Sequence, residues 1–189
     1  MSFCSVNELQ KFSFEDCVVV KAYLTGGQVR FSLEAIRVKP DNSQNKNYTE
    51  SYADTSELDL RKPSVLSLVK EGWRMYNADG VLEQEVPDET VPADAFSSVA
   101  ERLTGAYLFS VKELPAGSTA GGDAGNTAGD NAGGAAGGDA GGARRTAVLR
   151  FEIPPEVEYD TAPTESYELT VSFTDSYLRW DRYLNKVQS

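Results

Sequence analysis

The chain has 189 residues, with 18 Lys and Arg against 29 Asp and Glu, no histidine, two cysteines and 40% hydrophobic residues. That composition belongs to a soluble globular protein and excludes a membrane-spanning or wholly disordered one. Lack of histidine removes serine-histidine and cysteine-histidine nucleophile pairs and the commonest metal ligand, and a net charge of −11 works against nucleic acid as a partner.

Residues 1 to 20 interleave Asn7, Glu8, Gln10, Lys11, Glu15 and Asp16 with apolar positions, so no secretory signal and no transmembrane run is expected. A cytoplasmic protein follows, with Cys4 a free surface thiol and Cys17 a small buried hydrophobe. The run from Cys17 to Leu24, then Gly26-Gly27, then Gln28 to Glu34, predicts a hairpin. Val29, Phe31 and Leu33 alternate with Arg30, Ser32 and Glu34, which puts one face in a core and the other in water. The alternation slips at Ala35-Ile36, predicting a bulge, and a polar loop runs from Pro40 to about Asn47. Val65, Leu66, Leu68 and Val69 suit one face of a short helix closed by Gly72, with a strand as the competing reading.

Trp73 to Tyr76 and Val81 to Val86 flank Asp79-Gly80 and predict a second hairpin. Phe96, Val99 and Leu103 fall at helical spacing before Gly105, and Ala106 to Val111 predicts a strand. Residues 116 to 143 hold 11 of the 16 glycines and no large side chain, so they are expected to form a disordered insertion. Strands are predicted at Ala147 to Ile153 and Tyr167 to Phe173. Tyr177, Trp180, Leu184 and Val187 then recur at helical spacing behind Thr174-Asp175-Ser176, predicting a C-terminal amphipathic helix. The sum is a single α+β domain over 1–189, with an antiparallel β-sheet, two or three short helices and the 116–143 insertion as a loop within it.

Motifs for chemistry are sparse. The glycine-rich tract has no lysine and fits neither a phosphate-binding loop nor a dinucleotide fingerprint, so no cofactor is expected. Cys4 and Cys17 lack the close pairing of a zinc site, and Asn77 to Gly80 fails as a calcium loop because Met75 and Val86 would stand at ligand positions. The Asn47-Tyr48-Thr49 sequon is read as chance. Between Arg74 and Arg102 there are seven acidic residues and no basic one, and the same holds between Arg150 and Arg179. Such runs are ordinarily solvated faces, or surfaces that attract a basic partner.

Three functions stay open on these residues. The first is a non-catalytic interaction or accessory module, of inhibitor or immunity type, that meets a basic protein partner. It would use Glu83, Glu85, Asp88 and Glu89 from the acidic stretch and Arg179, Trp180, Arg182 and Tyr183 from the predicted last helix. The second is a carboxylate-dependent hydrolase acting on a carbohydrate, which needs two acids flanking the scissile bond. The third is a structural component of a phage or other multi-protein assembly. Oligomeric state is not legible in the sequence.

Overall fold

The computed structural model describes residues 2–25, 27–115, 144–155 and 164–186. Strands dominate. In the first part of the chain they are β1 (Phe3–Val6), β2 (Phe12–Ser13), β3 (Cys17–Thr25), β4 (Gln28–Glu34), β5 (Arg37–Val38), β6 (Ser51–Ala53) and β7 (Ser56–Leu60). There follow β8 (Ser64–Lys70), β9 (Trp73–Tyr76), β10 (Leu82–Val86), β11 (Glu89–Thr90), β12 (Tyr107–Leu114), β13 (Arg145–Ile153), β14 (Glu165–Phe173), β15 (Ser176–Trp180) and β16 (Tyr183–Lys186). The one α-helix among the described residues, α1, spans Phe96–Arg102, and single 3-10 turns occupy Leu9–Lys11 and Ala93–Ala95.

Ten strands form one sheet in the order β1-β15-β7-β4-β3-β12-β13-β14-β8-β11, with every neighbouring pair antiparallel. The order divides into two halves, because β3 and β12 share only the pairs Tyr107–Val18 and Leu108–Cys17. The halves face one another. Phe31 of β4 and Phe151 of β13 have ring centroids 5.3 Å apart, whereas strands three places apart in a flat sheet would be separated by about 14 Å. A second seam lies where β7 turns into β8 and β14 into β15. There Arg61 N–H donates to the Asp175 carbonyl at 2.8 Å, Thr174 N–H donates to the Arg61 carbonyl at 2.9 Å, and Lys62 takes φ 45°. Strands that switch layers through such bends make the corners of a sandwich.

The interior is built by the expected alternation. Val29, Phe31 and Leu33 are fully buried, joined by Leu58, Leu149, Phe151 and Leu169. Helix α1 lays Phe96, Val99 and Ala100 on this core, and the chain leaves it through Gly105 at φ 85°, whose N–H donates to the Val19 carbonyl at 2.8 Å. A four-stranded sheet, β16-β6-β5-β2, closes one end.

The α+β expectation is overturned: the fold is mostly β. Residues 64–70 are strand β8, because β14 presents an open edge that pairs with them from Ser64–Ser172 to Lys70–Tyr167. A helix there would have spanned barely two turns, too short to hold without such packing. The predicted C-terminal helix is β15 and β16. Leu178 and Trp180 point inward while Tyr177 and Arg179 point outward, a period of two that the aromatic spacing concealed. The slip at Ala35 is also no bulge in a continuing strand. Ala35 takes φ 60° and carries the chain from β4 into the small sheet; the bulge of this hairpin lies in β3, between Val19 and Lys21.

Residues 39–50 are held by buried polar side chains. Asn45 Nδ2 donates to the carbonyls of Val38, Lys39 and Thr49 at 2.9–3.1 Å, and Asn42 Nδ2 donates to Ser5 Oγ at 3.0 Å. Glu8 gathers the same region: its carboxylate accepts from Ser5 Oγ, Lys11 Nζ and Ser43 Oγ at 2.7 Å and from Ser43 N–H at 3.2 Å.

The tract expected to be disordered, 116–143, lies outside the described residues. Its flanks pair without interruption from Leu114–Thr146 to Ser110–Arg150 and, past a register shift, on to Tyr107–Glu152. Replacing residues 116–143 with Asn-Gly therefore closes a hairpin already set in register. Shortening that connection from about 28 to about four residues returns ~1.7 kcal/mol of closure entropy by the logarithmic rule. The expected outcome is an unchanged or raised melting temperature by calorimetry; a broadened or lowered transition would contradict it.

Candidate functional site

Strands β9 and β10 pair only with each other among the described residues, making an arm outside the large sheet. Its turn is local chemistry. Asn77 Oδ1 accepts the N–H groups of Asp79 and Val81 at 3.0 and 2.9 Å, Gly80 N–H donates to the Asn77 carbonyl at 3.0 Å, and Gly80 takes the φ of 76° that favours glycine. The base is equally specific. A Cβ on Gly72 would collide with the Val86 carbonyl oxygen and crowd the backbone of Pro87 and Asp88, so only glycine lets the two ends of the arm cross this closely. Asp88 Oδ1 accepts the Gly72 N–H at 2.7 Å and pins that crossing.

What the arm exposes is largely apolar. Met75, Tyr76, Val81, Leu82 and Val86 are 40–59% exposed. The register divides them between the two faces of the arm, Met75 and Val86 on one and Tyr76 and Leu82 on the other, and apolar side chains held out in water on a projecting element mark contact sites. Around them stand Asp79, Glu83, Glu85, Asp88 and Glu89, with Arg74 the one cation from 73 to 89 and paired across the ladder to Glu85 at 2.7 Å. Glu83 sits at the register shift between Leu82 and Gln84. A cleft of about 490 Å³ opens at the base beside Trp73, Arg74, Pro87 and Asp88. Of the sequence-predicted residues, Glu83 and Glu85 thus lie on the arm and Asp88 at its base, whereas Glu89 begins β11 and stands opposite Lys70 in the large sheet.

The other predicted group does not share a surface. Trp180 has no exposed area; it stacks on Phe3 at 5.4 Å and meets Phe12 and Tyr183 edge-on at 5.9 and 5.8 Å. Tyr183 is half-buried, its hydroxyl donates to the Gln44 carbonyl at 3.1 Å, and burial pushes its pKa up to about 12. Arg182 stands in solvent at the bend between β15 and β16, where Asp54 Oδ1 accepts the N–H groups of Asp181 and Arg182 at 3.0 and 3.3 Å. Only Arg179 joins a wider cluster.

That cluster lies on the outer face of β4, β7 and β15. Asp59 is 4% exposed, and three guanidinium groups surround its carboxylate: Arg61 at 3.2 Å, Arg179 at 3.6 Å and Arg30 at 3.7 Å. Register explains the convergence, since Arg30, Asp59 and Tyr177 stand opposite one another on successive strands. Arg61 and Arg179 also lie over the Tyr177 ring at 5.3 and 4.9 Å, and Lys21 covers Tyr23 at 4.8 Å. Sequence reasoning missed Asp59 and the whole of β7. The available signal was the alternation of Leu58 and Leu60 with Glu57, Asp59 and Arg61.

The ionisable groups otherwise read as structural. Partial burial raises the Glu8 carboxyl, but the hydrogen bonds from Lys11, Ser5 and Ser43 outweigh it and bring the pKa down to about 2. Glu165 is likewise raised by burial yet lowered on balance by Tyr167, Arg102 and Lys70, with Arg102 at 2.5 Å tying α1 to β14. Burial and Glu165 push Tyr167 up to about 12. The displaced carboxyls among the described residues, Glu8, Glu165, Asp175 and Asp181, all move downward and so stay ionised. Burial pushes the Cys17 thiol up to about 12, which leaves it protonated and unreactive, while Cys4 is exposed. No group of three or more metal-ligating side chains occurs among the described residues, and no helix among them is long and apolar enough to cross a membrane. No family model, curated protein or solved structure matches this chain.

Proposed function

We propose that this protein is a non-catalytic interaction module that engages a basic protein partner through the β9–β10 arm. The observation that carries the reading is the pairing of exposed Met75, Tyr76, Val81 and Leu82 with Asp79, Glu83 and Glu85 and a single cation, Arg74, on one projecting hairpin, with Asp88 at its base. Apolar side chains supply the buried area of a contact, and the acids steer a cationic surface toward it. A cytoplasmic setting accompanies the reading, supported by two free cysteines, one of them exposed. A hydrolase working through two carboxyls needs one acid held protonated near neutral pH. The downward displacement of Glu8, Glu165, Asp175 and Asp181 supplies none. A role as one component of a larger assembly draws on the same arm.

The test is capture on the immobilised full chain at low and moderate salt, compared with Met75→Ser/Leu82→Ser and Glu83→Gln/Glu85→Gln. A basic protein should be depleted at least about tenfold by either pair of substitutions and by salt. A captured set indifferent to all three would sink the proposal.

A further inference from the structure

We infer that the arm takes its partner by strand addition: an extended segment of the partner, apolar residues alternating with lysine or arginine, pairs main chain to main chain along the free edge of β10. This rests on the arm being the docking element and names how it docks. Register gives the arm two sides. Trp73, Met75, Gln84 and Val86 lie on one, and Arg74, Tyr76, Leu82 and Glu85 on the other. Met75 and Val86 are exposed on the first side, Tyr76 and Leu82 on the second. A partner laid flat against either side would leave half of this apolar surface in water. A strand beside the hairpin reaches both, because its successive side chains alternate between the two sides.

The edge itself is open. Among the described residues β10 pairs only with β9, and all five of its residues are exposed. An unpaired edge offers a row of N–H and C=O groups to a further chain, and native sheets blunt such edges with short strands, proline or lysine. The large sheet does so at β11, two residues set between Pro87 and Pro92. Strand β10 has neither proline nor lysine along its length. Its one irregularity favours the same occupant. The register shift leaves Glu83 with no residue opposite it on β9, and its carboxylate has no ion-pair partner among the described residues, whereas Glu85 is held by Arg74. Glu83 is thus the carboxylate of this edge left for a cation from outside. A two-stranded ribbon is marginal in water, so a third strand steadies the arm as it binds.

The probe is a capped hexapeptide alternating valine and lysine, titrated into the isotope-labelled full chain beside the same peptide N-methylated at every residue. Amide hydrogen exchange read by NMR should slow at the amides of 82–86 that face away from β9, with the outward amides of 73–76 unchanged. The methylated peptide keeps the side chains but loses the donors, and should bind at least about tenfold more weakly. Glu83→Lys should weaken the unmodified peptide about fivefold at low salt. Protection confined to the outer edge of β9, equal binding of the two peptides, or no binding of either at about 1 mM would each overturn the inference. Capture of a basic protein that is still lost in Met75→Ser/Leu82→Ser, with the two peptides binding equally, overturns strand addition alone and leaves the arm reading standing; loss of both behaviours overturns both.

Discussion

Trp180→Ala is expected to cost about 3–5 kcal/mol of folding stability, the largest loss we anticipate from one side chain. At about 2–4 °C per kcal/mol for a chain of this size, the melting temperature should fall by about 6–20 °C. The indole has no exposed area and forms the middle of a cluster, stacked on Phe3 and edge-on to Phe12 and Tyr183. These rings come from β1, β2, β15 and β16, so the cavity left by alanine would lie where the large and small sheets meet. Trp180→Phe keeps a ring against Phe3 and should lose only about 1–2 kcal/mol. Urea unfolding of both variants is the measurement, and a loss under about 1 kcal/mol for alanine would remove Trp180 from the core.

The second large effect belongs to Glu8 and is pH-dependent. Its folded pKa of about 2 lies below the ordinary 4.5, so its contribution is fully present above about pH 4.5 and is lost as pH falls toward 2. The downward shift is equivalent to about 3 kcal/mol. The side chain is 14% exposed, so solvent screening removes little of it. Glu8→Gln should therefore destabilise by about that amount at pH 7 and by almost nothing near pH 2. Unfolding free energies of wild type and variant from pH 2 to 7 should converge at the acid end, since the other carboxylates are common to both. A gap that stays constant with pH would show that Glu8 acts by packing alone. Loosening should begin around Ser43, because Glu8 accepts both the hydroxyl and the amide of that residue.

Local signals were legible in the sequence and long-range ones were not. The Gly26-Gly27 hairpin, the Asp79-Gly80 arm and helix α1 are each specified within about 20 residues, by alternation, turn chemistry or helical spacing. The exposed acids Glu83 and Glu85 could be located for the same reason: they lie on that hairpin, with Asp88 two residues beyond it and Glu89 already in β11. Tyr177 to Trp180 is ambiguous in isolation, since aromatics at i and i+3 fit a helix and inward Leu178 and Trp180 fit a strand. Pairing with β7 from Ser176–Leu60 to Arg179–Glu57 decides it, more than 100 residues away in the chain. The cluster on Asp59 was hidden by the same distance, because Arg30, Arg61 and Arg179 come from three strands that only the assembled sheet makes neighbours. Asn42 and Asn45 reach buried positions inside a stretch that composition marks only as polar loop.

The pairing of β1 with β15, Phe3 against Trp180, sets a timetable for folding on the ribosome. At about 5–20 residues per second, residues 3–6 are made about 9–35 s before the strand they pair with. Until then the outer edge of β7 has no neighbour and the Phe3 ring has no Trp180 to cover it. An unpaired edge beside exposed aromatic rings is a template for aggregation. A chain cut before Ser176 would be fixed in that state, with a fully translated β3–β4 hairpin and no strand to close the sheet beside β7.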